Sequence, residues 1–197
     1  MVRRQPMAKI ITVGPGNPYA PDSGAERSAP AGSRRIRRSF EAGHSPKFLV
    51  LVDDTLDCGK AVYYASRRAA RVNAKLLLLR VIEPPLFSEL SLLGINDVMR
   101  CEQQQEAQQL LDGYVSRAER IASITPETAI RQGNTAEEIF KLIEADEDIA
   151  VLVLAAGSSN KGPGPLVSDL ARTAGTYPIP VVIVPAHLAD HELDALS

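Results

Sequence analysis

The 197-residue sequence is poor in the residues that build metal sites, disulfide frameworks and membrane spans. It has two cysteines, three histidines and no tryptophan. Cys58 and Cys101 have neither CxxC spacing nor histidine-rich neighbours, which argues against a zinc site and favours a reducing compartment. No apolar run approaches the roughly 18 residues that span a bilayer, and the N-terminus lacks the apolar core of a signal peptide. We therefore expect a cytoplasmic protein without a membrane segment.

The few histidines also bear on catalysis. His44, His187 and His191 lie in the terminal regions of the chain and have no obvious nucleophile beside them. Cys58 falls inside a predicted helix, where a cysteine usually behaves as a small buried hydrophobe. No set of nucleophile, base and orienting group can be assembled from the sequence. We expect no catalytic residues and no metal site.

The two ends of the chain differ in charge from its body. Residues 1–47 carry nine Lys or Arg and three Asp or Glu, in a segment rich in Pro, Gly and Ser. Such a segment cannot bury enough apolar surface to fold, so residues 1–45 are predicted to be a disordered basic arm. Without interleaved aromatic residues it would bind nucleic acid or lipid only nonspecifically, and we expect no specific nucleic-acid partner and no membrane contact. Residues 187–197 are predicted to be a mobile acidic tail.

Between the two ends, residues 46–186 are predicted to form one α/β domain. Short apolar runs alternate with segments of helical periodicity, in the order βαβαβαβαβ. This order predicts a five-stranded parallel sheet with helices on both faces. We expect the sheet to be doubly wound, with strand order 3-2-1-4-5. Asp54 or Thr55 is expected to cap the first helix, and Thr135 and Glu138 to form a capping box at the third. The predicted strands are residues 48–52, 75–82, 127–132, 149–155 and 181–185.

In such a sheet a crevice opens where strands 1 and 4 end side by side. Asp53 and Asp54 follow strand 1, and a glycine-rich loop over residues 157–168 follows strand 4. The aspartates could ligate magnesium or bond a ribose or base, or simply form an Asx turn and a helix cap. The loop could hold a phosphate through backbone N–H groups and a hydroxyl at a helix start, or be a flexible surface loop. The loop residues concerned are Gly157, Ser158, Gly162, Gly164 and Ser168.

Five stretches in order give the chain a family resemblance. They are Phe48 to Thr55, Ala74 to Pro84, Ile130 to Ile139, Leu152 to Ser158 and Tyr177 to Val184. Together they resemble the universal stress protein domain, over residues 47–185. The resemblance implies an adenine nucleotide alpha hydrolase-like fold, a cytoplasmic protein and a homodimer formed by pairing of the last strands, through Val181, Val182, Ile183 and Val184.

The resemblance also implies an ATP site, because many family members bind ATP. Carried over, the nucleotide-binding positions are Asp53, Val81, Gly157, the loop glycines and Ser168, with magnesium present only alongside a nucleotide. The sequence departs from the family's G-x2-G-x9-G-S/T pattern, since Asn160 replaces the second glycine and Val167 precedes Ser168. A β-branched residue cannot readily take positive φ, which opposes conventional phosphate binding.

Two functions are compatible with these features. The first is a stress-response regulatory protein without catalytic turnover, modulated by a nucleotide and acting on an unknown protein partner. The second is a nucleotide-using enzyme of the same architecture, such as a slow ATPase or a nucleotidyl transferase. The dimer likewise has an alternative, in which the C-terminal tail covers the last strand.

Overall fold

The computed structural model describes residues 36–84, 96–157, 164, 166–168 and 177–197. Five parallel strands form one sheet in the order β3-β2-β1-β4-β5. The fold class predicted from the sequence is therefore confirmed. The strands are β1 Lys47–Leu51, β2 Lys75–Ile82, β3 Glu127–Gln132, β4 Ile149–Ala156 and β5 Val181–Pro185.

Helices cover both faces of this sheet. The helices are α1 Cys58–Arg71, α2 Asn96–Ala122, α3 Thr135–Ala145 and α4 Asp190–Leu196. Side chains of α1, α2 and α4 share one buried cluster, and side chains of α3 belong to a second. The alternation along β1 explains this division, because Phe48 and Val50 enter the first cluster while Leu49 enters the second. Burial on both faces accounts for the continuous apolar runs in the sequence.

The first helix begins later than its sequence suggested. Neither Asp54 nor Thr55 caps it, since α1 starts at Cys58 and its N-cap residue is Asp57. The backbone N–H groups of Cys58, Gly59 and Lys60 instead donate to carbonyl oxygens three residues earlier. This tight turn satisfies donors that a side-chain cap would otherwise serve. The polar side chains of the β1–α1 loop are thereby left for other contacts.

The C-terminal segment, expected to be mobile, is helical and docked. In α4 the side chain of Leu193 is 1% exposed and joins the cluster of the α1 face. Asp194 accepts hydrogen bonds from Arg67 at 2.7 Å and from the Tyr63 hydroxyl at 3.1 Å. The expectation failed because the acidic residues, which suggested solvation, are matched by basic and phenolic partners on α1.

The prediction of a disordered arm over residues 1–45 extends too far along the chain, because residues 36–45 contact the folded domain. The Arg37 guanidinium donates to the carbonyl oxygens of Ile143 and Asp146, at the end of α3. His44 lies 2.6 Å from the Asp148 carboxylate. Residues 36–46 therefore form an N-terminal clasp on the α3–β4 turn. Residues 1–35 lie outside the described part of the chain, and the prediction for them stays a prediction.

Candidate functional site

A cleft of about 430 Å³ opens where β1 and β4 end. Its walls come from the end of each strand, the loop after β1, the start of α3 and the short helical segment at residues 166–168. This is the topological switch point of the sheet, where doubly wound proteins bind ligands. The described residues that line it are Leu51, Asp53, Thr55, Glu83, Asn134, Thr135, Ala136, Leu154, Ala155, Gly157, Gly164, Leu166 and Val167.

Asp53 lies on the wall of this cleft and also organises the loop after β1. Its Oδ1 accepts the backbone N–H of Thr55 at 2.9 Å and the Thr55 hydroxyl at 2.5 Å. The Asx turn considered from the sequence is thus present. Asp53 still lines the cleft, because Thr55 bonds to only one of its two carboxylate oxygens.

The side chain of Asp54, the next residue, lies outside this cleft. Its Oδ2 accepts a hydrogen bond from the Arg80 guanidinium at 2.6 Å. The pair lines a second cleft of about 300 Å³ beside α2, together with Val81 and Glu106. Val81 is 7% exposed and packs in the cluster on the α3 face. The structure therefore does not bring Asp54 and Val81 to the walls of the β1/β4 cleft.

The glycine-rich loop is described at its two ends. Gly157 and Gly164 both line the cleft, and Gly164 has a φ of +98°, which favours glycine. Ser168 lies in the described helical turn at residues 166–168, and its N–H is not free for an anion, because it donates to the Gly164 carbonyl at 3.1 Å. Its hydroxyl donates to the same carbonyl at 2.9 Å. Ser158 and Gly162, also predicted for this site, lie outside the described residues.

Three polar residues on the opposite wall were not among the sequence candidates. The Glu83 Oε1 accepts the Thr135 hydroxyl at 2.6 Å and the Thr135 backbone N–H at 3.3 Å. Asn134, the third, is the N-cap of α3 and accepts the Glu137 N–H at 3.2 Å. The predicted capping box of Thr135 and Glu138 is therefore wrong, since the cap lies one residue earlier and the Thr135 hydroxyl serves Glu83.

The pairing of β2 with β3 brings this wall together. Ile82 pairs with Gln132, so the residues that follow these two strand ends must be neighbours. Glu83 and Asn134 therefore meet at the same edge as Asp53. Two carboxylates face the cleft, and none of its described lining residues is basic.

Behind the β1–α1 loop, Cys58 and Tyr114 form a buried polar contact. Cys58 is fully buried, and its thiol lies 3.7 Å from the Leu51 carbonyl. Burial raises the pKa of the Cys58 thiol to about 11, and it raises the pKa of the Tyr114 hydroxyl as well. Both groups therefore stay protonated at neutral pH.

Neither a metal cluster nor a membrane span emerges from the described ranges. Over residues 36–84, 96–157, 164, 166–168 and 177–197, no group of three or more His, Cys, Asp or Glu side chains is placed to hold a metal ion. Within the same ranges no helix is both long and apolar enough to cross a bilayer.

Comparison with known proteins gives a family and a set of similar structures. The model of the universal stress protein family matches residues 45–185. The chain is similar to UspA from Lactobacillus plantarum, with 19% identity, a TM-score of 0.61 and coverage of 71% of this chain and 97% of that one.

Two other similar structures have TM-scores of 0.53. A universal stress protein family member from Burkholderia pseudomallei is 18% identical, over 71% of this chain and 95% of that one. A universal stress protein in complex with cAMP is 20% identical, over 72% of this chain and 98% of that one. No curated protein matches the sequence.

Proposed function

This chain belongs to the universal stress protein family, and we propose that it is a regulatory protein of the stress response that binds an adenine nucleotide or nucleoside. The β1/β4 cleft is the proposed binding site. Ligand binding would change the affinity of the protein for a protein partner, and no bond of the ligand would be broken. The alternative is a nucleotide-using enzyme, and the experiments below separate the two.

The position and lining of the cleft carry this proposal. Its volume of about 430 Å³ lies within the range of small-molecule sites. Leu51, Leu154 and Val167 provide apolar surface for a base, while Asp53 provides a hydrogen-bond acceptor for ribose hydroxyls. A similar structure, solved with cAMP, supports a nucleotide as the ligand.

The chemistry of the described walls favours binding over turnover. Their polar side chains are Asp53, Thr55, Glu83, Asn134 and Thr135. Both threonine hydroxyls donate to carboxylates, and neither has a histidine or lysine beside it among the described lining residues. Carboxylates are weaker bases than histidine or lysine, so these hydroxyls are poor nucleophiles. Magnesium would enter only with a nucleotide that carries its own phosphate ligands.

The proposed assembly is a homodimer through β5, which is an edge strand of the sheet. Pro180 accepts a hydrogen bond from Leu152 of β4, so residues 180, 182 and 184 bond to β4. Val181 and Ile183 therefore direct their backbone groups to the open edge. Ile183 is also 41% exposed, and an open apolar edge is stabilised by pairing with a second copy. We also propose a cytoplasmic location, consistent with two free cysteines.

Binding is tested in two steps. The full chain is purified without added nucleotide, and any bound small molecule is identified by mass spectrometry. The protein is then freed of ligand and titrated with adenosine and with ATP by calorimetry. Asp53→Asn should weaken adenosine binding about tenfold or more, because it removes the charged acceptor for the ribose hydroxyls. Asp54→Asn is the matched control, since it removes the same charge from the adjacent, exposed residue that faces Arg80. Absence of binding by the unaltered protein would refute the proposal.

The same preparation distinguishes regulation from catalysis. ATP incubated with the protein should remain intact at the rate of a buffer blank. Hydrolysis or nucleotidyl transfer well above that rate, lost in Asp53→Asn, would establish the enzyme alternative instead.

The dimer has its own test. Ile183→Pro removes an outward N–H without removing a bond to β4, so light scattering should show monomers where the unaltered chain gives dimers. Leu196→Lys changes another exposed apolar residue, on α4, and should leave the dimer intact. A monomeric unaltered protein at high concentration would contradict this assembly.

A further inference from the structure

We infer that the β1/β4 cleft disfavours the negative charge of phosphate groups. Adenosine and adenosine monophosphates therefore bind to it more tightly than ATP. This inference rests on the proposed function, since it concerns the ligand of the same cleft. It is carried by three observations on the walls: where the hydroxyl donors point, what occupies the start of α3, and which charges line the cleft.

Among the described residues, the hydroxyl donors that line the cleft, on Thr55 and Thr135, are engaged within the protein. The Thr55 hydroxyl donates to Asp53 at 2.5 Å, and the Thr135 hydroxyl donates to Glu83 at 2.6 Å. The Ser168 hydroxyl, expected from the sequence to meet a phosphate, donates to the Gly164 carbonyl at 2.9 Å. A hydroxyl has a single hydrogen to donate. A fully ionised phosphate only accepts hydrogen bonds, so it would have to break one of these bonds to gain a hydroxyl donor.

The start of α3 faces the cleft but already holds an anion. Helix N-termini bind phosphates because their first N–H groups are unpaired and the helix dipole is positive there. Here the Glu83 carboxylate accepts the N–H of Thr135 at 3.3 Å, and the Asn134 side chain accepts the N–H of Glu137 at 3.2 Å. Glu83 follows β2 directly, and the pairing of Ile82 with Gln132 holds its carboxylate beside α3. The protein's own carboxylate thus occupies the anion site at the N-terminus of α3.

The charges on the described part of the walls have one sign. Asp53 and Glu83 both line the cleft, and its described lining residues include neither Lys nor Arg. Each phosphate oxygen that enters adds a charge of the same sign in a partly enclosed space, where repulsion is stronger than in open water. ATP carries several such charges, an adenosine monophosphate fewer and adenosine none. Affinity should therefore rise along that order, from ATP to adenosine.

The same walls suit the nucleoside part of the ligand. Thr55 bonds to Oδ1 of Asp53, which leaves the second oxygen for a ribose hydroxyl. Ribose hydroxyls and the amino group of adenine donate hydrogen bonds, so they complement carboxylate acceptors. Leu51, Leu154 and Val167 supply the apolar surface against which a base can pack. The wall is rich in acceptors, and a ligand rich in donors fits it.

The test is a set of calorimetric titrations of the full chain with adenosine, AMP, cAMP and ATP, without divalent cations and at fixed ionic strength. We expect adenosine and the two monophosphates to bind at least about tenfold more tightly than ATP. The variant Glu83→Gln keeps an acceptor for Thr135 but removes one negative charge. It should tighten ATP binding about tenfold and change adenosine binding less than about threefold.

Glu106→Gln is the matched control. Glu106 is an exposed residue of α2 that lines the second cleft and not this one. Removing its charge should leave the ratio of adenosine to ATP affinity unchanged. An equal effect of Glu83→Gln and Glu106→Gln would show that net charge, and not Glu83, sets the preference, which would overturn the inference.

Salt provides a second measurement on the unaltered protein, so the test does not depend on any variant folding. Screening weakens repulsion, and ATP binding should therefore tighten as ionic strength rises while adenosine binding stays constant. If ATP binds most tightly, or weakens with salt, the inference is overturned while nucleotide binding stands. If none of the four compounds binds, both the inference and the proposed function are overturned.

Discussion

The carboxylate of Glu138 folds back over Gly133, with its Oε1 3.1 Å from the position that a β-carbon on Gly133 would occupy. Gly133 has a φ of +143° and forms the turn between β3 and α3. The next residue, Asn134, caps α3 and lines the cleft. Positive φ and a close carboxylate both favour glycine at this turn.

Gly133→Ala should therefore destabilise the protein by about 1–3 kcal/mol, because the backbone is strained and Glu138 must move. Gly113→Ala is the matched control, since Gly113 lies within α2 and a β-carbon there would contact nothing within 4 Å. Alanine should stabilise α2 by about 0.5–1 kcal/mol. Urea unfolding of both variants checks the opposite signs, and two stabilising substitutions would contradict the account of the turn.

The strands could be predicted from the sequence because burial on both faces leaves a simple signature. Apolar runs such as Phe48 to Val52 and Ile149 to Ala155 are too short for a buried helix and are bounded by turn residues. Their alternation with helical segments predicted the parallel sheet, which is confirmed. The start of α1 could not be located in this way, because a backbone turn at residues 55–57 replaces the side-chain cap.

The candidate site was predictable in position but not in composition. The topology alone places a cleft after β1 and β4. Asp53 and Asp54 are equivalent in sequence, and their separation depends on Arg80, which reaches Asp54 from β2. Glu83 and Thr135 are 52 residues apart and meet because β2 pairs with β3. Such contacts depend on strand register, which periodicity does not specify.

The N-terminal clasp leads to a prediction about stability. Arg37 donates to the Asp146 carbonyl at 2.8 Å and to the Ile143 carbonyl, and it pairs with Glu144 at 3.2 Å. These carbonyl groups lie at the C-terminal end of α3, where the helix dipole favours a cation. Arg37→Ala should lower the free energy of unfolding by about 1–3 kcal/mol, as measured by urea denaturation.

Arg38→Ala is the control for this clasp. The Arg38 side chain is about half exposed and bonds to Glu41, three residues away. Exposed ion pairs of this kind contribute little to stability. We expect no measurable change, and an equal loss in both variants would mean that Arg37 has no special role at the end of α3.

The docked C-terminal helix predicts that the end of the chain contributes to the core. Leu193 is 1% exposed, whereas Leu196 on the same helix is 61% exposed. Leu193→Ala should therefore cost about 2–3 kcal/mol in urea unfolding, and Leu196→Ala less than about 0.5 kcal/mol. Similar losses for both variants would contradict the packing of α4 on α1.

The buried thiol of Cys58 should make stability depend on pH in the alkaline range. Burial raises its pKa from an ordinary value of 9.0 to about 11 in the folded protein. Between these values the unfolded chain has lost the thiol proton while the folded chain keeps it, so stability falls as pH rises from about 9 to about 11. The slope from one such group reaches at most about 1.4 kcal/mol per pH unit. Urea unfolding at pH 8, 9 and 10 measures it.

Variants at the two cysteines separate the thiol from other groups that titrate in this range. Cys58→Ala should reduce the slope, and a smaller slope should persist because burial also raises the pKa of the Tyr114 hydroxyl. Cys101→Ala should leave the slope unchanged, since Cys101 is exposed. A thiol reagent at pH 8 should correspondingly modify Cys101 in the folded protein and Cys58 only after unfolding. Rapid modification of Cys58 in the folded protein would contradict its burial.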